Sequence, residues 1–184
     1  MQLLNEPIPG VLELHARVFE DARGSFCETF NTQTMAALGI DLDFCQDNES
    51  VSTRRGTIRG LHLQTEPHAQ GKLVRVLRGS IFDVAVDVRP DSPTFRQHAT
   101  VELNADDHRA FWIPPGFAHG FCTLSDDTVL AYKCTAFYAP ANERSIRYDD
   151  PDLAIDWPVT GTDAVLSDKD AAAPSFADYL HERS

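Results

Sequence analysis

His62 is the residue in this chain best suited to moving a proton near neutral pH, because an unperturbed imidazole titrates there. It stands in Arg59-Gly60-Leu61-His62-Leu63-Gln64, three residues after an arginine and two after a glycine. One histidine by itself fits a structural role as readily as a catalytic one. Metal binding is the competing chemistry. The chain reads His62-Leu63-Gln64, without the H-x-H pair of a metal-binding barrel, although Glu66 and His68 follow closely. His119, after the turn Pro114-Pro115-Gly116-Phe117-Ala118, could join His62 and a carboxylate in a facial triad. The missing pair makes this the weaker reading.

Lys72 and Tyr132 come next. A desolvated Lys72 beside a developing oxyanion would stabilise it strongly. Along residues 128–135, Leu130, Tyr132 and Cys134 share one face of a strand and Val129, Ala131 and Lys133 the other. If the Tyr132 face points inward, its hydroxyl needs a polar partner or a substrate. Near the start, Phe19 and Phe26 bracket Arg23-Gly24, with Glu28 beyond. Aromatics beside an arginine suit a base and a phosphate, or equally a core with a charged surface. Ser167-Asp168-Lys169-Asp170 reads by itself as solvated surface.

These side chains need a scaffold of short strands. Leu73–Leu77, the turn Arg78-Gly79-Ser80 and the alternation of Phe82, Val84, Val86 and Val88 with Asp83, Ala85, Asp87 and Arg89 predict a strand pair. Turn clusters at 89–93, 104–107, 114–116 and 125–127 separate the apolar runs 100–103, 110–113, 120–124 and 128–135. That punctuation predicts an all-β sandwich or barrel, with a jelly roll the natural candidate. One helix is expected after a cap at Asn31 or Thr32, carried by Met35, Ala36 and Leu38 and stopped at Gly39. A helical turn or two should lie around Pro174. The 184 residues suffice for one domain, 1–184, and sheet edges that need covering point to a homodimer.

A net charge of −12 argues against nucleic acid as a partner. The segment Arg54–Arg78 nevertheless carries six basic residues and one acid, Glu66. Such an island fits a small anionic ligand, or a solvated strand face balanced by acidic neighbours. No apolar run approaches the ~20 residues that cross a bilayer, so no membrane partner is expected. Met1–Gly10 lacks the pattern of a signal peptide, and the four cysteines show neither metal nor disulfide spacing. The expected compartment is the cytoplasm, with all four cysteines buried as small hydrophobes.

Read in order, the chain closely resembles the dTDP-4-dehydrorhamnose 3,5-epimerase family over essentially its whole length. The matching stretches are Val18-Phe19 through Arg23-Gly24 to Glu28, Gln46-Asp47-Asn48, Arg59-Gly60-Leu61-His62 and Gln70-Gly71-Lys72-Leu73-Val74-Arg75. Phe82-Asp83-Val84-Ala85-Val86-Asp87, Trp112-Ile113-Pro114 through Gly116-Phe117-Ala118-His119-Gly120-Phe121, Tyr132-Lys133, Tyr138 and Ser167-Asp168-Lys169-Asp170 complete the set. The resemblance implies a cupin-type double-stranded β-helix, or jelly roll, with short flanking helices. It also implies a dimer that exchanges N-terminal strands, and a dTDP-4-keto-6-deoxyhexose substrate, with no metal and no cofactor.

Carried over residue by residue, the resemblance makes His62 the base, held and polarised by Asp170. Lys72 would stabilise the enolate and Tyr132 return a proton from the opposite face. Arg59 and Arg23 match phosphate or nucleotide grips, and Tyr138 a residue stacking on thymine. Phe19, Phe26, Glu28, Gln46, Asp47, Asn48, His119, Glu143 and Lys169 match further substrate contacts. Leu63, Ser25, Cys27 and Glu49 depart from the commonest pattern, which leaves room for a single-site 3- or 5-epimerase of another nucleotide ketosugar. A metal-dependent cupin oxygenase or isomerase, and a non-catalytic sugar-nucleotide binder, are the readings from other classes.

Overall fold

Two antiparallel sheets face each other across a lumen, as the strand punctuation predicts. The computed structural model describes residues 1–182. Numbered along the chain, one sheet has the order β1 (Gln2–Ile8), β2 (Val11–His15), β10 (Arg109–Ile113), β7 (Lys72–Arg78), β12 (Thr128–Cys134) and β5 (Gln46–Ser52). The other runs β13 (Glu143–Ser145), β6 (Ile58–Gln64), β11 (Phe117–Thr123), β8 (Ser80–Asp87) and β9 (His98–Asn104). This is a cupin-type jelly roll. A separate hairpin, β3 (Val18–Asp21) with β4 (Gly24–Cys27), belongs to neither sheet.

Three apolar clusters hold the layers together. Val74, Val76, Phe111, Ile113 and Leu130 from the first sheet meet Ile81, Ala85, Leu103, Phe117 and Phe121 from the second inside the lumen. Behind the second sheet, Ile58, Leu61, Leu63, Val84, Val86, Ala118 and Cys122 pack under a C-terminal layer that includes Tyr148, Leu153, Trp157, Phe176 and Tyr179. Behind the first, Leu12, Leu14, Leu73 and Trp112 meet Met35 and Ile40 beside the helix α1 (Thr32–Ala37). Burying a large side chain such as Phe176, fully enclosed here, contributes about 1.5–3 kcal/mol.

The helix starts where its cap allows. The Asn31 side chain accepts from the Gln33 and Thr34 amides at 3.0 and 3.2 Å, and Gly39 turns the chain away at φ +84°. After residue 167 come α2 (Asp168–Ala171) and α3 (Phe176–Glu182), on either side of Pro174 as expected. The four cysteines are free. Cys122 and Cys134 are buried, Cys27 is partly covered, and Cys45 is exposed, which departs from the expectation of four buried thiols. Among the described residues no helix is long and apolar enough to cross a membrane.

The alternation along β8 divides its residues between two faces without saying which is interior. Val84 and Val86 do pack against an apolar layer, but it is the C-terminal one, behind the sheet. Ile81 and Ala85 face the lumen, and Asp83 between them shares that face. Both faces of β8 are therefore buried, and the acid side is the interior one.

Candidate active site

Directly opposed residues in an antiparallel pair share a face. On the second sheet, His119 opposes His62 on β6 and Ala85 on β8, while Phe121 opposes Arg59 and Asp83. On the first, Lys72 opposes Cys134, Tyr132 opposes Val74 and Asn48, and Leu130 opposes Ser50. All of these lie on the lumen faces of their sheets.

His62 and Arg59 are three residues apart, a spacing that puts strand side chains on opposite faces. An irregularity between the two paired positions resolves this: three steps along β6 match two along β11. Gly60 sits at that point with φ +126°, and a Cβ there would meet the Gly120 Cα at 2.6 Å and the His119 carbonyl oxygen at 2.7 Å. Only glycine fits, and both functional side chains reach the lumen.

The resulting cavity has a volume of about 500 Å³. Arg59, His62, Lys72, His119, Tyr132 and Asp170 line it, with Lys169 at its edge. His62 Nε2 lies 2.5 Å from Asp170 Oδ1. A carboxylate only accepts, so Nε2 carries the hydrogen and Nδ1 keeps a lone pair. Asp170 is almost fully buried and receives a second bond from the Ser167 hydroxyl at 2.9 Å. Burial pushes the Asp170 carboxyl up, yet the bonds from His62 and Ser167 hold it below the usual range.

Burial shifts the other groups in directions their chemistry can use. It lowers the pKa of the Lys72 ammonium, against which the nearby Cys134, Asp83 and Glu143 work only in part. It raises that of the Tyr132 phenol, which stays protonated, a form that can donate. Burial also lowers the pKa of His119, whose Nε2 donates to Asp83 Oδ1 at 2.7 Å. Arg59 spans the sheets by donating to the Ser52 hydroxyl and the Val51 carbonyl. Its remaining N–H groups are available to an anion.

The rim is tied to the cavity by a short chain of polar contacts. Tyr138 donates from its hydroxyl to Glu143 at 3.0 Å, and Glu143 takes Lys169 at 2.6 Å. The Tyr138 ring is about half exposed, as a stacking platform requires. Gln46 accepts from the Tyr138 amide and donates to Asn48.

Not every expected residue joins the site. Asp47 turns to the far face of β5, where it pairs with Lys133 at 2.8 Å. Strand alternation, which brings Asn48 inward, sends its side chain out. Phe19, Arg23, Phe26 and Glu28 lie outside the cavity lining. The first three belong to the β3–β4 hairpin, whose rings are exposed and whose Arg23, among the described residues, bonds only to Asp21. In this chain the arm stands away from the cavity that holds His62.

The structure adds residues that the sequence reading did not single out. Asp83 and Ser167 each hold another polar residue of the cavity in place. Phe121 and Ser50 line it, and the Ser50 hydroxyl is buried without a partner among the described residues. Among these residues no three His, Cys, Asp or Glu side chains gather as a metal would require. Each cavity histidine bonds a carboxylate through Nε2 instead.

Known proteins resemble the chain over nearly its whole length. The family model described as dTDP-4-dehydrorhamnose 3,5-epimerase matches residues 5–178. The Shigella flexneri dTDP-4-dehydrorhamnose 3,5-epimerase is 48% identical over 179 residues, 97% of each chain. A Legionella pneumophila dTDP-6-deoxy-D-glucose-3,5-epimerase, solved with dTDP-4-keto-L-rhamnose, superposes with TM-score 0.90 at 48% identity, over 95% of this chain and 92% of that one. The Bacillus anthracis dTDP-4-dehydrorhamnose 3,5-epimerase, solved with TDP and PPi, gives TM-score 0.91 at 44% identity, covering 95% and 98%.

Proposed function

Because the chain belongs to the dTDP-4-dehydrorhamnose 3,5-epimerase family, we propose that it inverts C3 and C5 of dTDP-4-dehydro-6-deoxy-D-glucose. The product is dTDP-4-dehydro-L-rhamnose, for dTDP-rhamnose biosynthesis. The observation that carries this reading is the placement of a histidine–carboxylate base on one sheet and a protonated tyrosine beside a partly buried lysine on the sheet facing it.

The residues divide the work as follows. His62 Nδ1 takes the proton from a carbon next to the C4 ketone. The electron pair moves into the carbonyl, and Lys72 stabilises the enolate oxygen. Tyr132 then gives a proton to the opposite face of the same carbon, which inverts it. Each inversion removes one proton and returns another, so the substrate is neither oxidised nor reduced. Preorganised donors at such an oxygen lower the barrier by roughly 3–4 kcal/mol each, and a positioned base adds roughly 10²–10⁴-fold. Arg59 grips the diphosphate, Tyr138 stacks on the thymine, and Gln46, Asn48, His119, Glu143 and Lys169 hold the remaining polar groups.

The enzyme works as a homodimer in the cytoplasm. The hairpin supports this: Phe19, Phe26 and Arg23 stand exposed on an arm away from their own cavity. They and Glu28 serve the partner's cavity, with stacking and phosphate contacts that the lone chain lacks. Arg23→Ala should raise KM roughly 10–100-fold, the worth of a charge-assisted contact. Co-expressed Arg23→Ala and His62→Ala chains should recover about a quarter of wild-type activity at low substrate, because half of the dimers then hold one intact site. Activity no greater than that of the parents would return the arm to its own site.

Proton NMR of dTDP-4-keto-6-deoxyglucose with the protein in D₂O tests the reaction itself. Deuterium should enter at both C3 and C5, with the product trapped by a reductase. Label at one carbon would make the enzyme a single-site epimerase. Absence of label would refute the proposed substrate or the catalytic reading.

A further inference from the structure

Asp83 has no part in the mechanism above, yet it is fully buried on the lumen face of β8. One of its oxygens takes the His119 Nε2–H at 2.7 Å, and the other is buried with no hydrogen-bond partner among the described residues. A buried carboxylate with one oxygen left unpaired is costly. Its surroundings therefore bear on what it does.

The cation on the opposite sheet that its charge acts on is Lys72. Lys72 must be an ammonium to stabilise an enolate, and burial works against that form. The charged and titratable groups around it are Cys134 and Tyr132 on β12, the exposed Glu49 on β5, Glu143 on β13, His119 on β11, His62 and Arg59 on β6, Asp83 on β8, and Lys169 and Asp170 on α2, the last already bound to His62 and Ser167. Few of these can hold the positive charge. Burial pushes the Cys134 and Tyr132 protons on more tightly, so both stay neutral. Glu143 already binds Lys169 and Tyr138. Arg59 is itself cationic, and the histidines donate to carboxylates. Asp83 is the buried acid with an oxygen to spare.

Resting on the epimerase reading, we infer that Asp83 is a positioning residue of the reaction. It fixes His119 as the Nε2–H tautomer, leaving Nδ1 to accept from a sugar hydroxyl, and supplies the counter-charge that keeps Lys72 an ammonium in the lumen. The two histidine–carboxylate pairs thus have different duties: His62–Asp170 moves the proton, and His119–Asp83 sets the field in which the enolate forms.

Asp83→Asn tests this, since the amide oxygen can still accept from His119 while the charge is gone. Turnover should fall on the order of 10²-fold with KM changed only a few-fold. The sign of the pH effect follows from the lost charge. Without Asp83, Lys72 gives up its proton at lower pH, so the basic limb of the kcat profile should move down by about one pH unit. A limb that stays at the wild-type position overturns the inference, whatever happens to turnover. Should the variant fail to fold, histidine-selective ¹⁵N NMR of the wild-type protein decides. His119 should be neutral and protonated at Nε2 at pH 7, and a cationic ring or a hydrogen on Nδ1 overturns the assignment. Absence of epimerisation by the wild type would instead remove the parent reading, which the D₂O experiment reveals first.

Discussion

His62→Ala should abolish deuterium exchange at both C3 and C5 and lower epimerisation by about 10²–10⁴-fold, the usual worth of a positioned base. The magnitude rests on the absence of a substitute. His119 is the other imidazole in the cavity, but it is bound to Asp83 through Nε2, and burial lowers its pKa. A weaker base held elsewhere cannot take over. Removing His62 also strips the buried Asp170 of one of its two side-chain donors, leaving it only Ser167. The variant should therefore be less stable by about 1–3 kcal/mol, and its Asp170 should be easier to protonate. His62→Gln, whose amide nitrogen occupies the Nε2 position and can still donate to Asp170, separates the two effects. Both variants should lose exchange, while Gln keeps more of the melting temperature. dTDP affinity should stay within a few-fold for each, because Arg59 and Tyr138 are untouched. Exchange at the wild-type rate in either variant would remove His62 as the base.

Much of this site is legible from strand arithmetic. The face shared by Leu130, Tyr132 and Cys134 is the lumen face, and the expected turn centres on Gly79, between the two strands. Asn31 and Gly39 bound the helix because capping is a local interaction, set by residues a few positions apart. What local pattern does not carry is which side of a strand becomes the interior. Valines along β8 mark a buried face correctly, but a C-terminal layer more than sixty residues away covers that face. The Asp83 side is then interior too. An acid alternating with small apolar residues in a strand flanked by turns is the signal that could have found it.

The same limit applies to His62 and Arg59. Their common face depends on an irregularity at Gly60, and Gly60 is required by the backbone of β11, distant in sequence. Asp170 reads as surface in a charged tail, and only the docking of α2 beside β6 turns it toward His62. The hairpin is the opposite case. Phe19, Arg23 and Phe26 have the right chemistry for a nucleotide, yet they stand exposed outside the lining of their own cavity, a placement that no local pattern encodes.

Tyr132→Phe should separate the two halves of the reaction. The ring keeps its packing against the lumen cluster, so the fold and the cavity shape should be retained. Only the hydroxyl is lost. His62 and Lys72 remain, so a proton can still leave and the enolate still form. The single acid left beside it is the protonated His62, on the face from which the proton came. Return from that side restores the starting configuration. The variant should therefore place solvent deuterium at the carbon next to the ketone while inversion falls by roughly 10²–10⁴-fold. NMR in D₂O reads both quantities in one sample, and their ratio distinguishes an acid from a mere contact. A tyrosine that only binds substrate would lower exchange and inversion together. Exchange that persists while inversion stops assigns the opposite-face proton to Tyr132; inversion at the wild-type rate would send the search to a water or another donor on the first sheet.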